Sequence, residues 1–228
     1  KDYEYGQSRQ ALTDRSNIVR DSFQHPKVTK KIEKQFIQFL MSDATFDAKQ
    51  FICRQLRLIG TKLSVPVLTT MAINPEYSDM ARYALENIPG DIVDRSLIDI
   101  LPKTFGTTKA GIINTLGHRA KDFAVKPLVP LAYDSNPVIA ESAISAMGKI
   151  ANDQAADALA KIYKKVDKDL KPVAADAYLS TADSMLEQNK DKQALKIYKK
   201  LYSKNNSIPT RTAALRGMIL ASGKNAGD

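Results

Sequence analysis

An aliphatic anchor returns about every thirty residues through the middle of the chain. Met147-Gly148 matches Leu116-Gly117, then Ile88-Pro89-Gly90, then Ile59-Gly60, at intervals of 31, 28 and 29 residues (147−116, 116−88, 88−59). Three residues before each anchor stands a second aliphatic: Ile144, Ile113, Leu85 and Leu56. After each turn comes another apolar run: Val65/Leu68/Met71, Val93/Leu97/Ile100, Val125/Leu128/Leu131 and Ala155/Leu159/Ile162. Apolar residues at three- and four-residue spacing make one face of a helix. One helix pair per period of this length predicts an array in which each pair buries its face on its neighbours rather than around one centre.

The cleanest copy is Asp134–Ile150. Asn136 is placed to cap a helix, and Pro137 follows at the first helical position, where its missing N–H is no loss. Ala140, Ala143, Ile144 and Met147 form its apolar face. Two of these four are alanine, so a neighbouring backbone can come close. Gly148 is expected to loosen or end the helix.

In chain order, residues 1–43 are expected to form a helical hairpin capping the array. Its two helices are Ser8 to Phe23 and Val28 to Met41, broken at His25-Pro26. Lys27, Lys30, Lys31 and Lys34 line one side of the second, as on an amphipathic surface helix. Residues 44–166 hold four repeats. The third is the weakest, because Lys109 and Gly111 fall on its first helix; Pro130 should bend or shorten its second. The stretch 167–171 reads as a joint. Residues 167–228 then form a helical hairpin of a second type plus a terminal helix, with Tyr178, Ala182, Ala194, Tyr198 and Leu201 facing each other across a turn at Gln188–Asp191.

Composition narrows the function. The chain has 228 residues, 43% hydrophobic and 26% charged, an ordinary globular balance. No hydrophobic run approaches the roughly 20 residues of a membrane span. Cys53 is the single cysteine, so no disulfide forms within the chain, and its neighbours Ile52, Leu56 and Ile59 mark it as a packed apolar residue. Net charge is +9, and residues 161–204 carry 11 Lys against 6 Asp and Glu. Such a stretch can attract acidic partners or phosphate backbones. It has no arginine and no aromatic-interleaved loop, which argues against nucleic acid.

Residues 44–166 resemble the short bacterial form of HEAT repeats, also seen in phycobilisome-lyase-like proteins, best in DSNPVIAESAISAMGKI. Residues 172–222 resemble a tetratricopeptide repeat through Tyr178, Ala182, Ala194 and Tyr198, with Met185 and Asn206 where that motif has a large residue and a proline. AKQFICRQLRLIG, MARYALENIPG and GIINTLG are similar to a HEAT segment of large exported bacterial proteins, which often carry a sugar-active domain of the 3-keto-disaccharide hydrolase type. The resemblance implies an all-α, right-handed α-α superhelix with a tetratricopeptide-like C-terminal hairpin, a companion domain, and a periplasmic or exported setting.

No catalytic constellation emerges. His25 and His118 have no second ligand at metal spacing. Asp94 and Asp99 are five apart and do not share a helix face. There is no phosphate-cradling glycine motif, and no cofactor is implied. Arg54 and Arg82 lie on first helices and could clamp a carboxylate or serve as ties between repeats. Lys103, Lys126, Lys161 and Lys164 belong on or near a concave ridge of second helices. The expectation is a non-catalytic scaffold binding a protein partner or companion domain, acidic in character, with a nucleic-acid binder or a groove-based lyase or glycosylase as alternatives.

Overall fold

Capping residues and prolines set where each helix starts. The computed structural model describes residues 2–223, and every regular element among them is helical. Thirteen α-helices are described: α1 Gln10–Asp21, α2 Pro26–Leu40, α3 Phe46–Ile59, α4 Val65–Ile73, α5 Ser78–Leu85, α6 Asp91–Ile100, α7 Gly106–Arg119, α8 Val125–Leu128, α9 Pro137–Ile150, α10 Asp153–Lys165, α11 Lys171–Glu187, α12 Asp191–Leu201 and α13 Ile208–Gly223. The chain divides into two compact units, 2–112 and 113–223, with the division inside α7.

The repeat ladder is buried as its spacing requires. Leu56, Leu85, Ile88, Ile113, Leu116, Ile144 and Met147 are fully enclosed, and Ile59 nearly so. So are Leu68, Val93, Leu97, Leu128, Leu159 and Ile162 of the second helices. Pro130 does shorten the second helix of the third repeat. α8 ends after four residues, and a 3-10 turn over Pro130–Tyr133 follows. Ala132 is buried there in place of the expected Leu131.

In unit 1 the two expected helices of residues 1–43 form, with α1 shorter than the expected Ser8 to Phe23 and only Val19 of its apolar residues buried. Pro26 opens α2 instead of merely ending α1. Glu33 of α2 is 1% exposed. Its Oε1 accepts from the Thr61 backbone N–H at 2.7 Å and the Ser64 hydroxyl at 2.7 Å, and the Thr61 hydroxyl lies 3.0 Å from both carboxylate oxygens. The acid therefore holds the turn that starts α4. A buried charge is tolerable when its lone pairs are met this fully.

In unit 2 the Asn136 side chain accepts from the Val138 N–H at 3.0 Å, and Asn152 from that of Ala155 at 2.7 Å. Each caps its helix as asparagine should. Gly148 neither loosens nor ends α9. That helix runs on to Ile150 and stops at Ala151, whose φ of 50° is left-handed. A Cβ on Gly148 would stand 2.7 Å from the Cα of Ala177, and one on Gly117 would stand 2.7 Å from the Cα of Ala146. The two contacts are one contact repeated 31 residues on (148−117 and 177−146). They let α9 meet α7 and α11 backbone to backbone, closer than any side chain would permit.

The C-terminal hairpin forms on its expected positions. Tyr178, Ala182, Ala194, Tyr198 and Leu201 of α11 and α12 are all buried. The turn places Asn189 at φ 59°, a left-handed conformation asparagine accepts readily. The Tyr198 hydroxyl donates to Asp183 Oδ1 at 2.6 Å. Burial first, then that bond and the Asp183 charge, hold the phenol well above its usual range. α11 also packs on α9 and α10, so the helices on both sides of residues 167–171 share unit 2.

Candidate partner-binding surface

The two arginines of the first helices have different surroundings. Arg54 on α3 is exposed and donates to Gln50 Oε1 one turn back at 3.0 Å. It lines a shallow groove of about 430 Å³ with Tyr3, Arg9 and Phe51. The Arg82 side chain on α5 is only 17% exposed. Its guanidinium pairs with Asp79 and donates to the Gly111 carbonyl at 3.2 Å. A Cβ on Gly111 would stand 2.7 Å from that guanidinium. Gly111, expected to weaken α7, is the bed on which Arg82 ties α5 to it.

The lysines lie at the surface. Lys103 is exposed in unit 1, in the 3-10 turn that extends α6. Lys126 on α8, and Lys161 and Lys164 on α10, are exposed in unit 2. All four belong to the second helix of a pair or its extension.

Unit 2 gathers further residues around Lys164 that sequence spacing does not single out. The rings of Tyr163 and Tyr178 sit 6.4 Å apart, both largely buried, where α10 meets α11. Lys171 Nζ stands 4.8 Å from the Tyr163 ring centre, and Lys200 Nζ 5.4 Å from that of Tyr178. Ammonium groups over aromatic faces are held by the ring quadrupole. The Tyr163 hydroxyl donates to Asn206 Oδ1 at 2.6 Å, and Asn206 Nδ2 donates to the Leu201 carbonyl at 2.7 Å. The position that departs from the tetratricopeptide pattern is thus a polar latch on α10. A groove of about 410 Å³ adjoins it, lined in part by Lys168, Lys171 and Thr210.

The electrostatics follow from this crowding. Lys200 is pushed below the usual lysine range by partial burial and by the like charge of Lys164. Tyr178 is pushed up by burial and by the Asp157 carboxylate. Among the described residues, Lys164, Lys171 and Lys200 make no ion pair. The patch can therefore accept carboxylates from outside. The surplus of lysine over residues 161–204 hinted at the region; the convergence of α10, α11 and α12 selects Lys164 and Lys200.

Among the described residues no group of three or more His, Cys, Asp or Glu is arranged to hold a metal ion. No described helix is long and apolar enough to cross a membrane. Cys53 is fully buried, and burial raises its thiol to about 12. Asp94 is buried while Asp99 is exposed, as their spacing requires.

Residues 95–178 match the family model for HEAT repeats. No curated protein matches the sequence. Among solved structures, the chain is similar to an engineered protein at 19% identity and a TM-score of 0.48, covering 86% of this chain and 60% of that one. It thus spans less than two thirds of that protein. A second engineered protein has 19% identity and a TM-score of 0.44, with 92% and 97% covered. A designed armadillo repeat protein in complex with the peptide (KR)4 has 19% identity and a TM-score of 0.47, with 82% and 99% covered.

Proposed function

We propose that this chain is a protein-interaction scaffold whose second helices present lysines to an acidic partner. The observation that carries the reading is the pair of ammonium groups held over largely buried tyrosine rings, Lys171 over Tyr163 and Lys200 over Tyr178, with no carboxylate in an ion pair with either among the described residues. The like charge of Lys164 also acts on Lys200, so an acidic ligand here relieves repulsion as well as gaining attraction. Lys161 lies one turn before Lys164 on α10 and extends the patch, while Lys126 and Lys103 hold comparable positions on earlier pairs. Of the two arginines, Arg54 is the one open to a partner, whereas Arg82 is engaged in holding α5 to α7. The similarity of Ala48–Gly60 and Met80–Gly90 to segments of exported, multidomain bacterial proteins favours a companion domain of the same longer chain as that partner.

The test is a titration with poly-glutamate followed by fluorescence anisotropy. Saturable binding that weakens with salt and falls about tenfold in a Lys164→Glu/Lys200→Glu variant is expected. Equal binding by the variant would end the assignment of these lysines. Tighter binding of a single-stranded oligonucleotide than of poly-glutamate would move the reading to nucleic acid.

A further inference from the structure

Phe23 is 52% exposed in the short turn between α1 and α2, an unusual position for a large aromatic. It stands on the wall of a groove of about 620 Å³ that lies wholly within unit 1. Leu63, 38% exposed, and Pro89 continue the apolar lining. A space of this size is enough to enclose one or two side chains. Part of its lining is fixed in advance, because Glu33 clamps the Thr61–Ser64 turn through the hydrogen bonds described above.

The rim carries the opposite character. Lys30 and Lys62 line the groove, both are exposed, and neither makes an ion pair among the described residues. Lys27 and Lys34 stand three and four positions from Lys30, on the same face of α2. The only acid on α2 is Glu33, whose carboxylate is already met by three donors. Two lysines without ion pairs against the one carboxylate of Glu33 leave the groove net positive around its apolar wall, which fits a ligand with the reverse pattern.

We propose that this groove docks an acidic linear peptide bearing one large apolar side chain. That side chain seats between Phe23, Leu63 and Pro89, and flanking carboxylates meet Lys30 and Lys62. The contact is separate from the Lys164/Lys200 patch and belongs to the other unit. The groove is open rather than enclosed, which lets an extended segment lie across it with one side chain against the apolar wall.

The probe is a short fluorescein-labelled peptide with a central Leu-Phe pair flanked by Asp and Glu, titrated against the whole chain. Saturable binding is expected, weakened about tenfold by Lys30→Glu/Lys62→Glu and several-fold by Phe23→Ser. It should be unmoved by Lys164→Glu/Lys200→Glu. Amide chemical shifts of the unsubstituted chain should move at Phe23 and Thr61–Leu63, which keeps the test independent of how the variants fold. No saturation, shifts centred elsewhere, or equal weakening by the Lys164/Lys200 variant would overturn the proposal. So would binding to phosphatidylserine–phosphatidylcholine vesicles without binding to the peptide.

Discussion

In residues 2–112, successive helices are tied through long side chains. Arg82 rests on Gly111, Glu33 grips Thr61 and Ser64, and Arg57 reaches from α3 to the Tyr83 hydroxyl at 2.6 Å with its guanidinium 4.4 Å from the Tyr83 ring centre. Residues 113–223 have side-chain ties too, such as Tyr163 to Asn206, but add two joints that are backbone against backbone, Gly117 on Ala146 and Gly148 on Ala177. A side-chain tie can shift by a rotamer when its neighbour changes. A backbone joint can yield only by moving a helix. The repeat is therefore most exacting at these two glycines of unit 2 and more tolerant where side chains make the tie, although the aliphatic ladder beneath both units is equally buried.

Substitutions can break or sharpen that contrast. Ile144→Asp places a carboxylate in the fully enclosed ladder of unit 2 and should cost about 3–5 kcal/mol in urea denaturation. A melt unchanged within a degree or two would contradict the burial on which both units rest. Glu33→Ala probes a polar tie of unit 1. It strands the Thr61 N–H and Ser64 hydroxyl and should cost about 2–3 kcal/mol, while Glu33→Gln, which keeps an acceptor, should cost less. Faster hydrogen exchange at the Thr61 amide would locate the loss.

The glycines give the sharpest test. Gly117→Ala and Gly148→Ala each set a methyl against a neighbouring backbone, which overpacks by about 1–3 kcal/mol. The better helix propensity of alanine returns roughly 1 kcal/mol. A net loss of up to about 2 kcal/mol is expected for each. At Gly111 the obstacle is the mobile guanidinium of Arg82, so Gly111→Ala should cost less than about 1 kcal/mol, the propensity gain again offsetting the shift. Equal losses at all three positions would erase the distinction between the units. The smallest effect is a gain. α7 gives way at Ala120 with φ 52°, a conformation that suits glycine, so Ala120→Gly should raise stability by about 0.5–1 kcal/mol, read as a later denaturation midpoint.

Much of the fold is legible in the sequence because hydrophobic periodicity is local. The Leu56/Ile59, Leu85/Ile88, Ile113/Leu116 and Ile144/Met147 steps each occupy one helical turn, and every one is buried. Asn136, Pro137 and Pro130 act on their own helices through capping and missing N–H groups, so they too are readable. The candidate surfaces were less accessible. Lys164 belongs to a visible basic stretch, but its closeness to Lys200 depends on α10 and α12 both packing against α11. Arg82 is marked by its spacing from the anchor, yet its partner Gly111 lies 29 residues on and looked like a defect in the third repeat.

The sequence by itself determined that the chain is helical, where its helices begin, and which side of each is apolar, since these follow from interactions within a turn or two. Only the tertiary structure decided what each helix meets at the far end of that burial. Whether a glycine is a weak point or a contact, and whether a lysine stands alone or against another, depends on atoms about thirty residues away. No local pattern encodes that distance; the packing of one pair on the next supplies it.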